Sequence, residues 1–228
     1  MATGSATIIE LRLEADGLSG RITCPPGLRP APGQYLLGSG PEPYEPLPVV
    51  LFPSRIGSDD LELTPGLPPT WTAGMPLALR GPLGHGFRMP PSARRVALAG
   101  LEESPARLLP LVDQALAQHA AVAIYARRAP RGLPEEVEVL PMELLPEAHA
   151  WADFLALEAR PSTLPDLNDR LGLKPFQHPG CMTQVLVITA MPCSGLADCG
   201  VCAVPTHAGW ALTCSEGPVF DYSQLVGV

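Results

Sequence analysis

The alternation of apolar and polar residues changes character near residue 92. Before that point, short runs with apolar residues at every second position are separated by clusters of Pro and Gly. This pattern is typical of strands with one buried face, and short strands at regular spacing favour a small barrel or sandwich. The predicted strands are Ala6–Glu14, Gly20–Cys24, Gln34–Leu37, Val49–Pro53, Leu61–Leu63 and Pro76–Leu79.

From residue 92 onward, apolar strand candidates alternate with segments of helical periodicity, which predicts a small parallel α/β unit. The predicted strands are Arg95–Ala99, Ala121–Ala126, Val137–Leu140 and Gln184–Thr189, and the predicted helices are Ser104–His119, His149–Arg160 and Leu164–Leu171. In the first helix we expect Ser104 to be the N-cap and Pro105 the first helical residue, although Pro110 also permits a later start.

These patterns predict an α+β multi-domain protein. We expect a small β-barrel in residues 1–91, a small parallel α/β domain in residues 92–190 and a cysteine-rich loop in residues 191–228. Within that loop, residues 201–205 and 210–213 are predicted to form the arms of a short hairpin with His207 near its tip.

The cysteine-rich segment contains the most informative chemistry of the chain. Its cysteines have the spacing C-x5-C-x2-C-x11-C, and they are Cys193, Cys199, Cys202 and Cys214. The plant-type [2Fe–2S] pattern is C-x4-C-x2-C…C, so the first gap here is one residue longer. A structural zinc ion held by all four thiolates fits comparable spacings. We expect the other cysteines, Cys24 and Cys181, to be small apolar side chains in the interior.

Composition narrows the partners and the compartment. The formal net charge is −8, which argues against a nucleic-acid groove or an anionic membrane surface as partner. No stretch approaches the ~20 apolar residues of a membrane span. The N-terminus lacks the basic and apolar regions of a signal peptide, so we expect a cytoplasmic protein with reduced thiols. Reduced thiols favour a metal or cluster site over disulfides.

Segments from the barrel and from the C-terminus resemble a known family. They are Pro32–Tyr35 (PGQY), Arg80–Phe87 (RGPLGHGF) and Cys214–Phe220 (CSEGPVF). With the order of the predicted domains, they make the chain resemble the electron-transfer subunit of the two-subunit bacterial dihydroorotate dehydrogenase, a member of the ferredoxin-reductase superfamily. The ending CSEGPVF favours iron–sulfur over zinc.

The resemblance implies FAD in the barrel, a [2Fe–2S] cluster on the cysteine loop and an NAD site in the α/β domain. It also implies a heteromer with a catalytic dihydroorotate dehydrogenase subunit in pyrimidine biosynthesis. Electrons from the partner's flavin would pass through the cluster to an external acceptor. No catalytic residue is expected in this chain.

The flavin contacts of the family are only partly matched. The corresponding stretch is Leu51–Arg55, in which Ser54 fits as an FAD ligand while an apolar residue replaces the expected arginine. In Thr64–Trp71, prolines remove N–H donors that would otherwise hold a phosphate. Ser54 is therefore the one FAD contact that we predict, and FAD binding itself is in question.

The nicotinamide site is matched less well. After the predicted strand Arg95–Ala99, Gly100 is the one glycine left of the glycine-rich turn. Glu102 and Glu103 place carboxylates where phosphates would bind, and like charges there are costly. We expect the chain not to bind NAD(H) well.

The sequence also allows a function of another class. In this alternative the chain is a non-catalytic interaction subunit whose nucleotide sites have decayed and whose cysteines hold zinc.

Overall fold

The computed structural model describes residues 2–41, 47–102, 104–174 and 177–225. Within this part, seven antiparallel strands form a sheet that curls into a near-closed barrel, in the order β4-β3-β7-β1-β2-β6-β5. The bounds are β1 Ala2–Glu14, β2 Gly17–Thr23, β3 Tyr35–Ser39, β4 Val49–Leu51, β5 Pro53–Ile56, β6 Asp60–Leu63 and β7 Pro76–Leu83.

The predicted strand over residues 49–53 is divided in the structure, because Phe52 separates β4 from β5. Leu51 points into the barrel core, whereas Phe52 packs into a second core that the barrel shares with the following domain. The break therefore turns one aromatic side chain from the barrel toward its neighbour.

The described part of residues 95–225 contains the remaining strands and helices. Their bounds are β8 Arg95–Gly100, α1 Pro110–Ala117, β9 Ala121–Tyr125, β10 Val137–Leu140, α2 Leu145–Trp151, β11 Phe154–Ala159, α3 Leu167–Arg170, β12 Met182–Val187, β13 Ala203–Thr206, β14 Gly209–Leu212 and β15 Val219–Asp221. A sheet in the order β10-β9-β8-β11-β12-β15 is parallel except for β15, which runs antiparallel to β12. The predicted fold class, a barrel followed by a parallel α/β unit and a cysteine-rich loop, is confirmed.

Two helix predictions are corrected. The first helix begins at Pro110 after a 3-10 turn over residues 106–108, rather than at Ser104. Proline suits the first helical position because its missing N–H has no intrahelical partner there. The predicted helix His149–Arg160 is wrong beyond Trp151, since β11 lies in the middle of the sheet, paired with β8 and β12.

The barrel and the α/β unit share a core. Tyr35, Leu37 and Phe52 of the barrel lie in one apolar cluster with Leu108 and Leu111, next to the start of α1. Among the described residues, none of the helices combines the length and the hydrophobicity that a bilayer span needs.

Candidate cluster-binding site

The cysteine loop leaves the sheet at the end of β12 and returns to it as β15. Between these strands, β13 and β14 form the predicted hairpin, with pairs from Ala203–Leu212 to Thr206–Gly209. The turn at His207 is tied to the C-terminal segment, because its backbone N–H donates to the carbonyl of Gln224 over 2.9 Å. The hairpin places Cys202 just before its first strand and Cys214 just after its second.

The structure brings the predicted ligands together in pairs. Cys193 and Cys199 are close enough for their thiols to interact, and so are Cys202 and Cys214. Cys214 also lies within electrostatic range of Cys193, so the pairs are neighbours. In the described part of the chain, no three His, Cys, Asp or Glu side chains converge on one metal position. Two neighbouring pairs of thiolates would suit a [2Fe–2S] cluster, which takes four cysteine ligands.

Backbone amides surround the sulfur of Cys193. The N–H groups of Asp198 and Cys199 lie near it, and the Leu196 N–H donates to the carbonyl oxygen of Cys193 over 3.2 Å. These amides and the Cys199 thiol lower the pKa of Cys193 to about 6, with the Asp198 amide contributing most. Donors that stabilise a thiolate also stabilise a thiolate-ligated cluster. The loop thus provides soft anionic ligands within a concave array of amides.

Cys214 lies in a more buried environment. Burial, followed by the neighbouring Cys202 thiol, raises the pKa of Cys214 to about 11, although the Ala197 amide donates to its sulfur. A metal reverses this preference, because a coordinating thiol is deprotonated outright. Cys202 is also buried, Cys193 is half-buried and Cys199 is exposed, so one edge of the group faces solvent.

Left-handed backbone conformations produce this array. Positive φ angles occur at Ser194 (55°), Gly195 (70°), Ala197 (63°) and Gly200 (69°). Left-handed residues in a loop can turn neighbouring N–H groups toward one point, as in an anion-binding nest. Glycine adopts this conformation readily, whereas Ser194 and Ala197 do so at an energetic cost.

The barrel supports the loop from below. The phenol of Tyr35, which is fully buried, donates a hydrogen bond to the carbonyl oxygen of Cys214 over 3.0 Å. On the neighbouring strand, Arg80 donates to the carbonyl oxygen of Ser194. Neither residue was predicted to belong to the site, because both are far from the cysteines in sequence.

The segments that carry the family resemblance meet next to this site. The backbone N–H of His85 donates to the carbonyl of Gly217 over 2.6 Å, and its Nδ1 lies 2.8 Å from the carbonyl oxygen of Glu216. From the PGQY turn, Gln34 donates to the carbonyl of Gly84 over 2.9 Å. His85 is exposed, and its ring helps to fix the segment after Cys214.

A second candidate site is the cleft between the barrel and the α/β unit. Its volume is about 840 Å³, and Ser54 and Arg55 lie on its barrel wall. Glu102 and Ser104 line the opposite wall, whereas Glu103 lies outside the described residues. The volume and the position of Ser54 suit a nucleotide, but Arg55 lies within 3.6 Å of Glu62 and shares its charge with that carboxylate.

The cleft also contains arginines that the sequence prediction did not include. Arg127, Arg128 and Arg131 follow β9, line the cleft and are exposed. None of them forms an ion pair with a described carboxylate. The sequence did contain an indication of these arginines, namely the run ARRAPRG at the end of a predicted strand. Residues that follow parallel strands meet at the ligand-binding edge of the sheet.

The other cysteines lie elsewhere, as predicted. Cys24 is in the barrel core at 3% exposure. Cys181 is half-buried beside the core of the α/β unit, where its thiol contacts Thr183. Burial raises the pKa of both thiols.

Comparison with known proteins agrees with this geometry. Residues 190–226 match the iron–sulfur cluster binding domain of dihydroorotate dehydrogenase B. No curated protein sequence matches the chain.

Similar folds occur among solved structures. One is the NADH-dependent reduced ferredoxin-NADP oxidoreductase, a flavin-based electron-bifurcating enzyme, with 16% identity, a TM-score of 0.73, and coverage of 96% of this chain and 88% of that one. Another is the ferredoxin reductase of carbazole 1,9a-dioxygenase, with 18% identity, a TM-score of 0.57, and coverage of 76% and 67%. A third is the ferredoxin NADP+ reductase of Neisseria gonorrhoeae, with 13% identity, a TM-score of 0.58, and coverage of 81% and 98%.

The similarity to these structures establishes the fold. The family match over residues 190–226 shows that the cysteine loop is similar to an iron–sulfur cluster binding domain. The resemblance inferred from the sequence is therefore confirmed: the chain has a ferredoxin-reductase fold whose C-terminal segment is similar to the iron–sulfur cluster binding domain of dihydroorotate dehydrogenase B.

Proposed function

We propose that the chain is an electron-transfer subunit that holds a [2Fe–2S] cluster on Cys193, Cys199, Cys202 and Cys214. The observation that carries this proposal is the convergence of paired thiols within a nest of backbone amides. When bound, such a cluster accepts and returns one electron at a time. The protein orients the thiolates, directs N–H donors at them and keeps Cys202 and Cys214 away from water.

The partner that we propose is the catalytic subunit of a dihydroorotate dehydrogenase, in pyrimidine biosynthesis in the cytoplasm. The match over residues 190–226 supports this choice. Around the exposed edge of the cysteine loop, apolar side chains are open to solvent: Leu196 at 59%, Val201 at 57% and Trp210 at 74%. A partner that covers these side chains would come close to the ligands, because Leu196 and Val201 lie between them in sequence.

FAD is the further cofactor that we propose, in the cleft lined by Ser54. The volume of the cleft supports a phosphate-containing ligand there, and so do Arg127, Arg128 and Arg131, which form no ion pair with a described carboxylate. We propose no NAD(H) site, because α1 begins at Pro110, which lacks an N–H, and Glu102 adds negative charge near that helix.

The experiment for the cluster is an anaerobic absorption spectrum with iron and acid-labile sulfide measured on the same sample. The proposal predicts about two irons and two sulfides per chain, with visible charge-transfer bands. Cys202→Ser should lose most of the iron, whereas the matched control Cys24→Ser should keep it. A colourless protein that contains one zinc per chain would exclude the proposal.

The experiment for the partner is titration of the protein with a catalytic dihydroorotate dehydrogenase subunit, measured by sedimentation. Trp210→Ala should weaken the complex at least tenfold, because large aromatic anchors carry much of the binding energy. Leu13→Ala is a suitable control, since Leu13 is 86% exposed on the barrel, outside the cysteine loop. If the two variants bind the catalytic subunit equally well, the exposed edge of the cysteine loop is not the binding surface.

A further inference from the structure

The cysteine loop rests on one face of the barrel where β3 and β7 pair. Leu37 on β3 lies directly opposite Arg80 on β7, and opposite residues of antiparallel strands project from the same face. On that face, a Cβ placed on Gly195 would lie 3.1 Å from the Tyr35 hydroxyl, 3.8 Å from Leu83 and 3.9 Å from Leu37. The first ligand gap is therefore in contact with the barrel.

Arg80 contacts this gap through the backbone of Ser194. Its Nη2 donates to the carbonyl oxygen of Ser194, the residue that follows the first ligand, Cys193. The gap is one residue longer than the plant-type pattern, and Ser194 has a φ of 55°, which is unfavourable for a residue with a Cβ. Such a conformation persists where surrounding contacts fix it, and Arg80 provides one.

Arg80 also places a positive charge beside the ligands. It is half-buried and forms no ion pair with any carboxylate in the described residues. The Tyr35 phenol lies within electrostatic range both of Arg80 and of the thiols Cys193, Cys202 and Cys214. The guanidinium and the thiols therefore both lie near the Tyr35 phenol.

We propose that Arg80 is a positioning residue of the cluster site, which fixes the long first ligand gap and stabilises the reduced cluster with its charge. This inference rests on the proposed function. One-electron reduction adds a negative charge to a group that is already anionic, so a nearby cation stabilises the reduced form more than the oxidised form. Asp198 acts in the opposite sense, but it is exposed and more strongly screened by solvent.

The test is a redox titration of the purified protein, followed by the EPR signal of the reduced cluster. Arg80→Gln should make the reduction equilibrium constant about three- to tenfold smaller and so lower the midpoint potential. A tenfold change corresponds to about 59 mV for one electron. Arg80→Lys retains the charge and should remain closer to the wild type. Arg94→Gln removes an exposed arginine that precedes β8, at the opposite edge of the parallel sheet from the end of β12, and it should leave the potential unchanged.

Iron and sulfide content, measured on each sample, separates the possible outcomes. A wild-type protein without iron would exclude the proposed function itself. If the wild type and Arg80→Gln both contain the full iron and sulfide and have the same midpoint potential, the role of Arg80 is excluded, while the proposed function stands. If Arg80→Gln does not fold, Arg80→Met replaces it, because methionine is neutral and retains much of the apolar stem. An unchanged potential in that variant would equally reject the inference.

Discussion

Tyr35 and Cys214 are 179 residues apart in sequence, yet the phenol of Tyr35 donates a buried hydrogen bond to the carbonyl oxygen of Cys214. We expect Tyr35→Phe to leave that carbonyl without a partner and to lower the free energy of unfolding by about 1–3 kcal/mol. Urea denaturation measures this change. The variant should also lose iron faster when mixed with a chelator, because the bond fixes the backbone of a proposed ligand.

A matched control for this variant is Tyr222→Phe. The phenol of Tyr222 donates to Asn168 Oδ1 over 2.6 Å, far from the barrel face that supports the loop. Its removal should also reduce stability, but the rate of iron release should not change. Equal rates for the two variants would show that the Tyr35 bond contributes to folding alone.

Gly195 and Gly200 form a second matched pair. They have almost the same φ, 70° and 69°, so alanine should carry a similar backbone cost of about 1–2 kcal/mol at either position. A Cβ at Gly195 would lie 3.1 Å from the Tyr35 hydroxyl, whereas a Cβ at Gly200 would meet nothing within 4 Å. We expect Gly195→Ala to bind less iron than Gly200→Ala, as measured by iron per folded chain. Identical contents would show that the barrel contact is unimportant.

The ion pair of Arg107 and Glu158 predicts a pH-dependent variant. The atoms Nη1 and Oε1 lie 2.6 Å apart. Glu158 is almost fully buried, and its Oε2 has no hydrogen-bond partner among the described residues. Arg107→Met should leave an uncompensated carboxylate and lower the free energy of unfolding by about 3–5 kcal/mol near neutral pH. Arg107 also lies over the Phe52 ring, at 5.7 Å from its centroid, so the variant loses that contact as well.

The pH dependence follows from the direction of the shift at Glu158. Burial raises the pKa of Glu158, and Arg107 only partly opposes this. The folded protein therefore holds the proton to higher pH than the unfolded chain, whose glutamates titrate near pH 4.3. Stability from this group is greatest below that pH and falls as the pH rises through the folded pKa. The loss in Arg107→Met should be larger at pH 8 than at pH 5, and a further Glu158→Gln change should remove this difference.

Asp153 predicts the opposite dependence at acidic pH. Its carboxylate accepts bonds from the Arg95 side chain at 2.8 Å and from the backbone N–H groups of Arg94 and Arg95. These contacts, with the Arg95 side chain contributing most, lower the pKa of Asp153 to about 2. Its stabilising effect is present above the unfolded pKa, near 3.9, and is lost as the pH falls toward 2.

Urea midpoints between pH 2 and pH 6 measure this effect. Asp153→Asn should be less stable than the wild type at pH 6, and the two midpoints should converge as the pH falls. A constant difference between Asp153→Asn and the wild type over this range would contradict the proposed contribution of this carboxylate.

Much of the fold was predictable because local patterns agreed with the final structure. The barrel strands alternate, and the hairpin around His207 was expected within two residues of its observed bounds. The error at β11 has a physical origin. The run FLALEA is buried on both faces in the middle of a parallel sheet, so it shows no alternation, and the periodicity of a short apolar run does not distinguish a strand from a helix.

The candidate site also contains residues that the sequence predicted and residues that it did not. Cys193, Cys199, Cys202 and Cys214 were predicted because ligand chemistry is visible in residue type and spacing. Tyr35 and Arg80 were not, because their roles depend on tertiary contacts across more than one hundred residues. The gap of five residues between the first ligands is one residue longer than the plant-type pattern, and spacing alone does not predict how the extra residue is accommodated. The structure shows a gap with left-handed Ser194 and Ala197, in contact with the barrel.

The cysteine loop begins after β12 and ends at β15, and these strands are hydrogen-bonded neighbours, with Val185 opposite Phe220 and Leu186 opposite Val219. Both ends of the loop are therefore held at the spacing of paired strands, about 5 Å, whatever the loop contains. Oxidative destruction of a bound cluster should consequently leave the surrounding scaffold assembled. A cell that repairs such damage would need to deliver only iron and sulfide to a protein that is already folded.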